Sequence, residues 1–130
     1  NTKLHLVKPL GFDISEKAVK RAGLDYWPYV DIEVHESLND FMEKYKNKRK
    51  FLATTKGGHL YTEFEYRDDD MFMFGRETRG LPRDFIAKNE EMSIRIPMSE
   101  NTRLRSFNLS NSANIILFEA LRQLGFPELK

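Results

Sequence analysis

Apolar residues along the chain fall into short runs separated by polar, glycine-bearing and proline-bearing stretches. Leu4-His5-Leu6-Val7 reads as a first short strand, ended by Pro9 and Gly11. Ser15 precedes a helical segment with Val19 and a cationic face of Lys17, Lys20 and Arg21, stopped at Gly23. Val30-Asp31-Ile32-Glu33-Val34 alternates with period two, the pattern of a half-exposed or edge strand. Ser37 is placed to cap a helix through Leu38, Phe41, Met42 and Tyr45. Phe51 to Thr55 suits a central strand running into the turn Lys56-Gly57-Gly58, and Met71 to Phe74 a buried strand ended by Gly75. Leu81-Pro82 opens a short helix through Phe85 and Ile86, and Ile94 to Pro97 is a last strand that its proline stops. Leu109, Ala113, Ile116, Ala120 and Leu124 recur at near-helical spacing, with Gly125 and Pro127 closing the final helix. Ile115 and Phe118 widen its apolar face, which calls for either deeper burial or a second packing partner such as another subunit.

Strand-length runs alternating with helical segments predict an α/β fold, a mostly parallel sheet flanked by helices. At 130 residues, with 40% hydrophobic and 32% charged positions, the chain suits one compact domain around one core. Lys+Arg 21 against Asp+Glu 20 leaves a net charge of +1, which excludes a globally basic binder, so any RNA contact needs a local patch. The densest basic cluster, Lys44, Lys46, Lys48, Arg49 and Lys50, is nearly balanced by Glu63, Glu65, Asp68, Asp69 and Asp70, and both are expected to be solvated surface. The absence of cysteine removes disulfides, thiolate zinc sites and cysteine nucleophiles. No apolar run approaches the roughly 18 residues of a membrane span and no signal peptide opens the chain, so a soluble intracellular domain is expected. With a strand starting at Leu4, the sequence is expected to begin inside a fold.

Three polar or glycine-bearing loops follow strands: Thr54 to Gly58, Gly75 to Gly80, and Met98 to Ser110. Ligands of open α/β sheets bind beyond the carboxyl ends of strands, so these loops are expected to converge on one pocket. None matches G-x-G-x-x-G, and Gly75 to Gly80 lacks the Lys-Ser/Thr of a P-loop, which disfavours a nucleoside triphosphate. Ser106 to Ser112 carries more short polar side chains than helix capping requires, leaving some to hydrogen-bond a ligand. His5, His35 and His59 show no metal-ligand spacing; each is expected to be structural or on the surface, and no metal site is expected. Asp68 to Asp70 reads as an acidic hairpin tip, and Tyr26-Trp27-Pro28 as an aromatic anchor rather than a base-stacking platform. No G-x-S-x-G elbow is present for a serine nucleophile.

Read together, Phe74-Gly75-Arg76-Glu77-Thr78-Arg79-Gly80-Leu81-Pro82, Ile94-Arg95-Ile96-Pro97-Met98 and Arg105-Ser106-Phe107-Asn108-Leu109-Ser110-Asn111-Ser112 closely resemble the second and third motifs of the SPOUT (SpoU-like) RNA methyltransferases. They are most similar to the small single-domain subgroup that 2'-O-methylates the wobble nucleotide, position 34, of tRNA. Lys8 to Phe12, Arg21 to Tyr26, Thr54 to Gly57 and Glu119 to Gly125 match that subgroup too, so the resemblance covers essentially the whole chain as one domain.

The resemblance implies a parallel sheet whose C-terminal part forms a deep trefoil knot, and a homodimer through the last helix. It implies S-adenosyl-L-methionine as cofactor, touched by Ala53 in the first loop, Gly75 and Glu77 in the second, and Ile96, Met98, Ser106, Phe107, Asn108 and Leu109 in the third. The implied partner is the anticodon stem-loop of tRNA at cytidine or uridine 34, in the cytoplasm. The family places an arginine near the reacting hydroxyl in an Asn...Arg segment after its first strand; that motif is absent here, so the first strand and first motif are expected to be missing from this chain. Ser106 and Asn108 remain as the residues that position the reactants, with Glu77 supporting the loop. Two other readings stay open on the pattern: a noncatalytic RNA-binding or dimerisation module, and an rRNA 2'-O-methyltransferase of the same fold.

Overall fold

The computed structural model describes residues 2–8, 31–55, 58–75, 81–97 and 109–127. The helix expected after Ser15 and the Tyr26-Trp27 anchor lie outside them. Two compact units divide the chain, residues 1–47 and 48–130.

In the first unit, strand β1 (Leu4–Val7) pairs in parallel with β2 (Ile32–His35), and helix α1 (Leu38–Lys44) follows. The Ser37 hydroxyl accepts from the backbone N–H of Asp40 at 3.1 Å, the expected N-cap. The register sets Leu4 opposite Ile32 and Val7 opposite His35. Side chains on one face of that pair then cluster: His5, His35, Phe41 and Tyr45 are in mutual ring contact at centroid separations of 5.0–5.9 Å. His5 and His35, unrelated by any sequence spacing, meet with Nδ1 and Nε2 3.0 Å apart. Pairing of two strands that are 30 residues apart in the chain makes this neighbourhood, which no local pattern encodes.

In the second unit, β3 (Lys50–Ala53), β4 (His59–Leu60), β5 (Met71–Phe74) and β6 (Ser93–Arg95) form a parallel sheet in the order β4-β6-β3-β5. Helix α2 (Arg83–Lys88) and a 3₁₀ turn (Glu90–Met92) precede β6, and helix α3 (Leu109–Gln123) closes the chain's regular structure. The expected parallel α/β architecture is thus present, with β3 central and its Phe51 and Leu52 buried. Phe51, Tyr66, Ile94, Ile116 and Ala120 form the core, and Ala53, Phe72, Phe74 and Ile96 pack on it. These strand residues share one pleat face because the register pairs Phe51 with Phe72 and Ala53 with both Phe74 and Ile94.

Several expectations change. The last strand ends at Arg95, before the proline, and β4 is a short element that its two residues could not announce. Asp68 to Asp70 is a turn but not a hairpin tip, since β4 and β5 lie at opposite edges of the sheet. Asp70 is not solvated surface either: it accepts from Nε of Arg49 at 3.0 Å, and the guanidinium lies 4.8 Å from the centre of the Phe51 ring. Deeper burial does not account for Phe118, which is 53% exposed.

Candidate active site

In a parallel sheet every strand delivers its carboxyl end to the same edge. Ala53 closes β3, flanked in register by Phe74 at the end of β5 and Ile94 in β6. Gly75 follows Phe74 directly, and Ile96 follows the last residue of β6. The Thr54 N–H donates to the Ile94 carbonyl at 2.9 Å, carrying the ladder one residue past the strand. Three residues expected from separate loops, Ala53, Gly75 and Ile96, therefore come to the same edge of the sheet, each half-buried.

The strand order makes this edge special. β5 lies on one side of β3 and β6 on the other, so the chain reverses its direction of travel across the sheet on its way from β3 to β6. Such a switch point leaves a crevice outside the strand ends. The groups there are a methyl side chain, a glycine and an isoleucine, with Ala53 and Ile96 packed on the core. They offer main-chain polar atoms and apolar walls and no charge, which fits an adenosyl group better than a phosphate.

Glu77, Met98, Ser106, Phe107 and Asn108 lie outside the described residues. Leu109 opens α3. A separate open depression lined by Gly58, His59, Ala87, Lys88, Glu90 and Glu91 lies at the amino ends of β4 and β6, the opposite edge. His59 there pairs with Glu63 at 2.9 Å, and both are largely exposed.

A family model described as SpoU rRNA Methylase matches residues 1–118. The chain belongs to this SpoU family. A curated relative from Bacillus subtilis (strain 168) is 48% identical over 133 residues, covering 100% of this chain and 82% of its own length. A relative from Escherichia coli (strain K12), named "tRNA (cytidine(34)-2'-O)-methyltransferase", is 42% identical over 126 residues, covering 96% of this chain and 79% of its own. A solved structure described as "Structural insights into the 2-OH methylation of C/U34 on tRNA" superposes with a TM-score of 0.84 at 40% identity, over 95% of this chain and 79% of that one. An AdoMet-bound rRNA methyltransferase from Sinorhizobium meliloti shares the fold, with a TM-score of 0.75 at 23% identity over 94% of this SpoU chain and 46% of its own. Among the described residues no helix is long and apolar enough to cross a membrane.

The aromatic and histidine cluster of the first unit is what sequence reading missed. Glu33 stands beside it, accepting from the Tyr45 hydroxyl at 2.8 Å and from Lys3 at 3.0 Å. Those donors, Tyr45 first, hold its carboxyl down to about 2, whereas burial pushes the His5 imidazole below its usual value.

Proposed function

We propose that this SpoU chain transfers a methyl group from S-adenosyl-L-methionine to the ribose 2'-hydroxyl of nucleotide 34, cytidine or uridine, in the anticodon stem-loop of tRNA, in the cytoplasm. The observation that carries the reading is the meeting of Ala53, Gly75 and Ile96 at the switch point of a parallel sheet, in a chain whose relatives are named for this reaction. One methyltransferase domain, with its C-terminal part threaded as a trefoil knot, is the matching topology, and the family model that runs through both units supports it.

Bound S-adenosyl-L-methionine supplies an electrophilic methyl carbon on a sulfonium leaving group. Ala53, Gly75 and Ile96 hold the adenosyl end through backbone groups and apolar walls, with Met98, Phe107 and Leu109 completing the pocket. In that transfer the ribose 2'-hydroxyl would take the methyl group, neutral S-adenosylhomocysteine would be released, and the hydroxyl proton would pass to solvent. Ser106 and Asn108 position the ribose and Glu77 supports the second loop, so the chain's main contribution is alignment. A homodimer through α3 fits Phe118, Leu124 and Phe126, all apolar and exposed.

Transfer of tritiated methyl to undermodified tRNA tests this directly. The label is expected on the ribose of nucleotide 34 and absent from a transcript carrying 2'-deoxyribose there; label on rRNA alone would reassign the substrate. Calorimetry with S-adenosylhomocysteine separates the cofactor site from the RNA: Gly75→Val is expected to weaken binding at least about ten-fold, because a branched side chain intrudes where the ligand approaches backbone, while the melting temperature changes little. Unchanged affinity in that variant would remove the second loop from the site.

A further inference from the structure

Three ligand-type atoms converge in the first unit, on residues that the methyl-transfer reading does not use. Glu33 Oε2 lies 2.9 Å from His35 Nε2 and 3.7 Å from His5 Nδ1, and the two nitrogens are 3.0 Å apart. His35 is buried, with its side chain 5% exposed, and those of His5 and Glu33 are 15% and 20% exposed.

Protons alone do not satisfy this triangle. A hydrogen on His35 Nε2 serves the carboxylate but leaves the His5 nitrogen facing a donor already engaged. A hydrogen on His5 Nδ1 serves His35 but sets the Nε2 lone pair against a carboxylate oxygen at 2.9 Å. With neutral imidazoles, one of the two short contacts lacks a hydrogen of its own.

We propose that His5 Nδ1, His35 Nε2 and Glu33 Oε2 bind a divalent transition-metal ion, with Zn2+ the best match. Bonds of about 2.0–2.2 Å in a tetrahedral site put neighbouring ligand atoms about 3.3 Å apart, and the three observed separations straddle that value. Two imidazoles and one carboxylate suit zinc or its neighbours in the first transition row over magnesium or calcium. The fourth position takes water. Lys3 and Lys44 hold Glu33 Oε1 at 3.0 and 3.1 Å, and the Tyr45 hydroxyl donates to Oε2 at 2.8 Å, so Oε2 binds the ion through its remaining lone pair with Tyr45 orienting it from behind. The rings are fixed in turn by their edge contacts with Phe41 and Tyr45. Such an ion links β1 to β2 through side chains as their ladder does through backbone, and the site stands whether or not the methyl-transfer reading holds.

The test uses the full chain, stripped with chelator and titrated with Zn2+ alone in a calorimeter. One equivalent is expected to bind, raising the melting temperature, and His5→Gln and Glu33→Gln are each expected to weaken binding at least about ten-fold. Circular dichroism shows whether each variant is folded. Should either variant unfold, X-ray absorption of the zinc-loaded wild-type chain decides without mutation, with scattering from two imidazoles expected. No saturable binding by the wild-type chain, equal affinity in folded variants, or a spectrum with fewer than two imidazoles overturns the proposal.

Discussion

Tyr66 shows how much one buried side chain can carry. Its hydroxyl donates to the Tyr61 carbonyl, and its backbone N–H donates to Gln123 Oε1 at 2.8 Å. Burial pushes the phenol up to about 12. Because the folded value is raised, the stabilisation is complete below the ordinary tyrosine value of about 10 and is lost as pH rises through the folded one. Urea unfolding of Tyr66→Phe is expected to show a loss of about 1 kcal/mol at neutral pH and a shallower alkaline decline than the wild type. Parallel declines would mean that the phenol titrates alike in the folded and unfolded chains. Gln123 is the partner in this arrangement: it also donates to the Phe64 carbonyl at 3.0 Å, so one amide from α3 closes two backbone groups of the loop before β5. Gln123→Ala is expected to cost about 1–3 kcal/mol, read as a lower urea midpoint with an unchanged slope.

Where α3 ends, the backbone chemistry is legible residue by residue. Gly125 adopts φ +82°, its N–H donates to the Arg122 carbonyl, and the Phe126 N–H reaches back to Leu121 at 2.7 Å. This is a Schellman stop, and Gly125→Ala is expected to lower stability by about 1–2 kcal/mol, visible in the melting temperature, because a Cβ opposes the left-handed conformation. The same kind of local signal makes Ser37 readable as a cap and Pro82 as the entry to α2. Hydropathy locates β3 and β5 because both are largely apolar, β3 as a central parallel strand and β5 as an edge strand whose Phe72 and Phe74 pack on the core. It cannot locate β4, whose two residues owe their strand conformation to the edge of β6. Likewise the gathering of the carboxyl ends of β3, β5 and β6 is legible, since a parallel sheet collects them at one edge by construction. The His5, Glu33 and His35 group is not, because only the pairing of β1 with β2 brings its members together. Asp70 escapes the pattern for a related reason: charge balance counts acids and bases but does not show that Arg49, lying over an aromatic ring, draws one of them in.

On the scale of the molecule, α3 buries one face and leaves an apolar residue on another. Ile116 and Ala120 complete the core of residues 48–130, while Phe118 is left facing outward. If the outward residues join two copies, Phe118→Lys is expected to raise the dimer dissociation constant by about 30-fold or more, the effect of losing an anchor worth about 2 kcal/mol. Sedimentation over a concentration series reads it, and a monomeric wild-type chain refutes the premise. The order β4-β6-β3-β5 has a further consequence for how this protein comes into being. Its central strand leaves the ribosome before either of its neighbours exists, and the helix that covers Phe51 and Ile94 emerges after all four strands. A nascent chain halted short of Leu109 would display an uncovered greasy sheet, a target for chaperones and proteases, so productive folding of residues 48–130 must wait until α3 has been made.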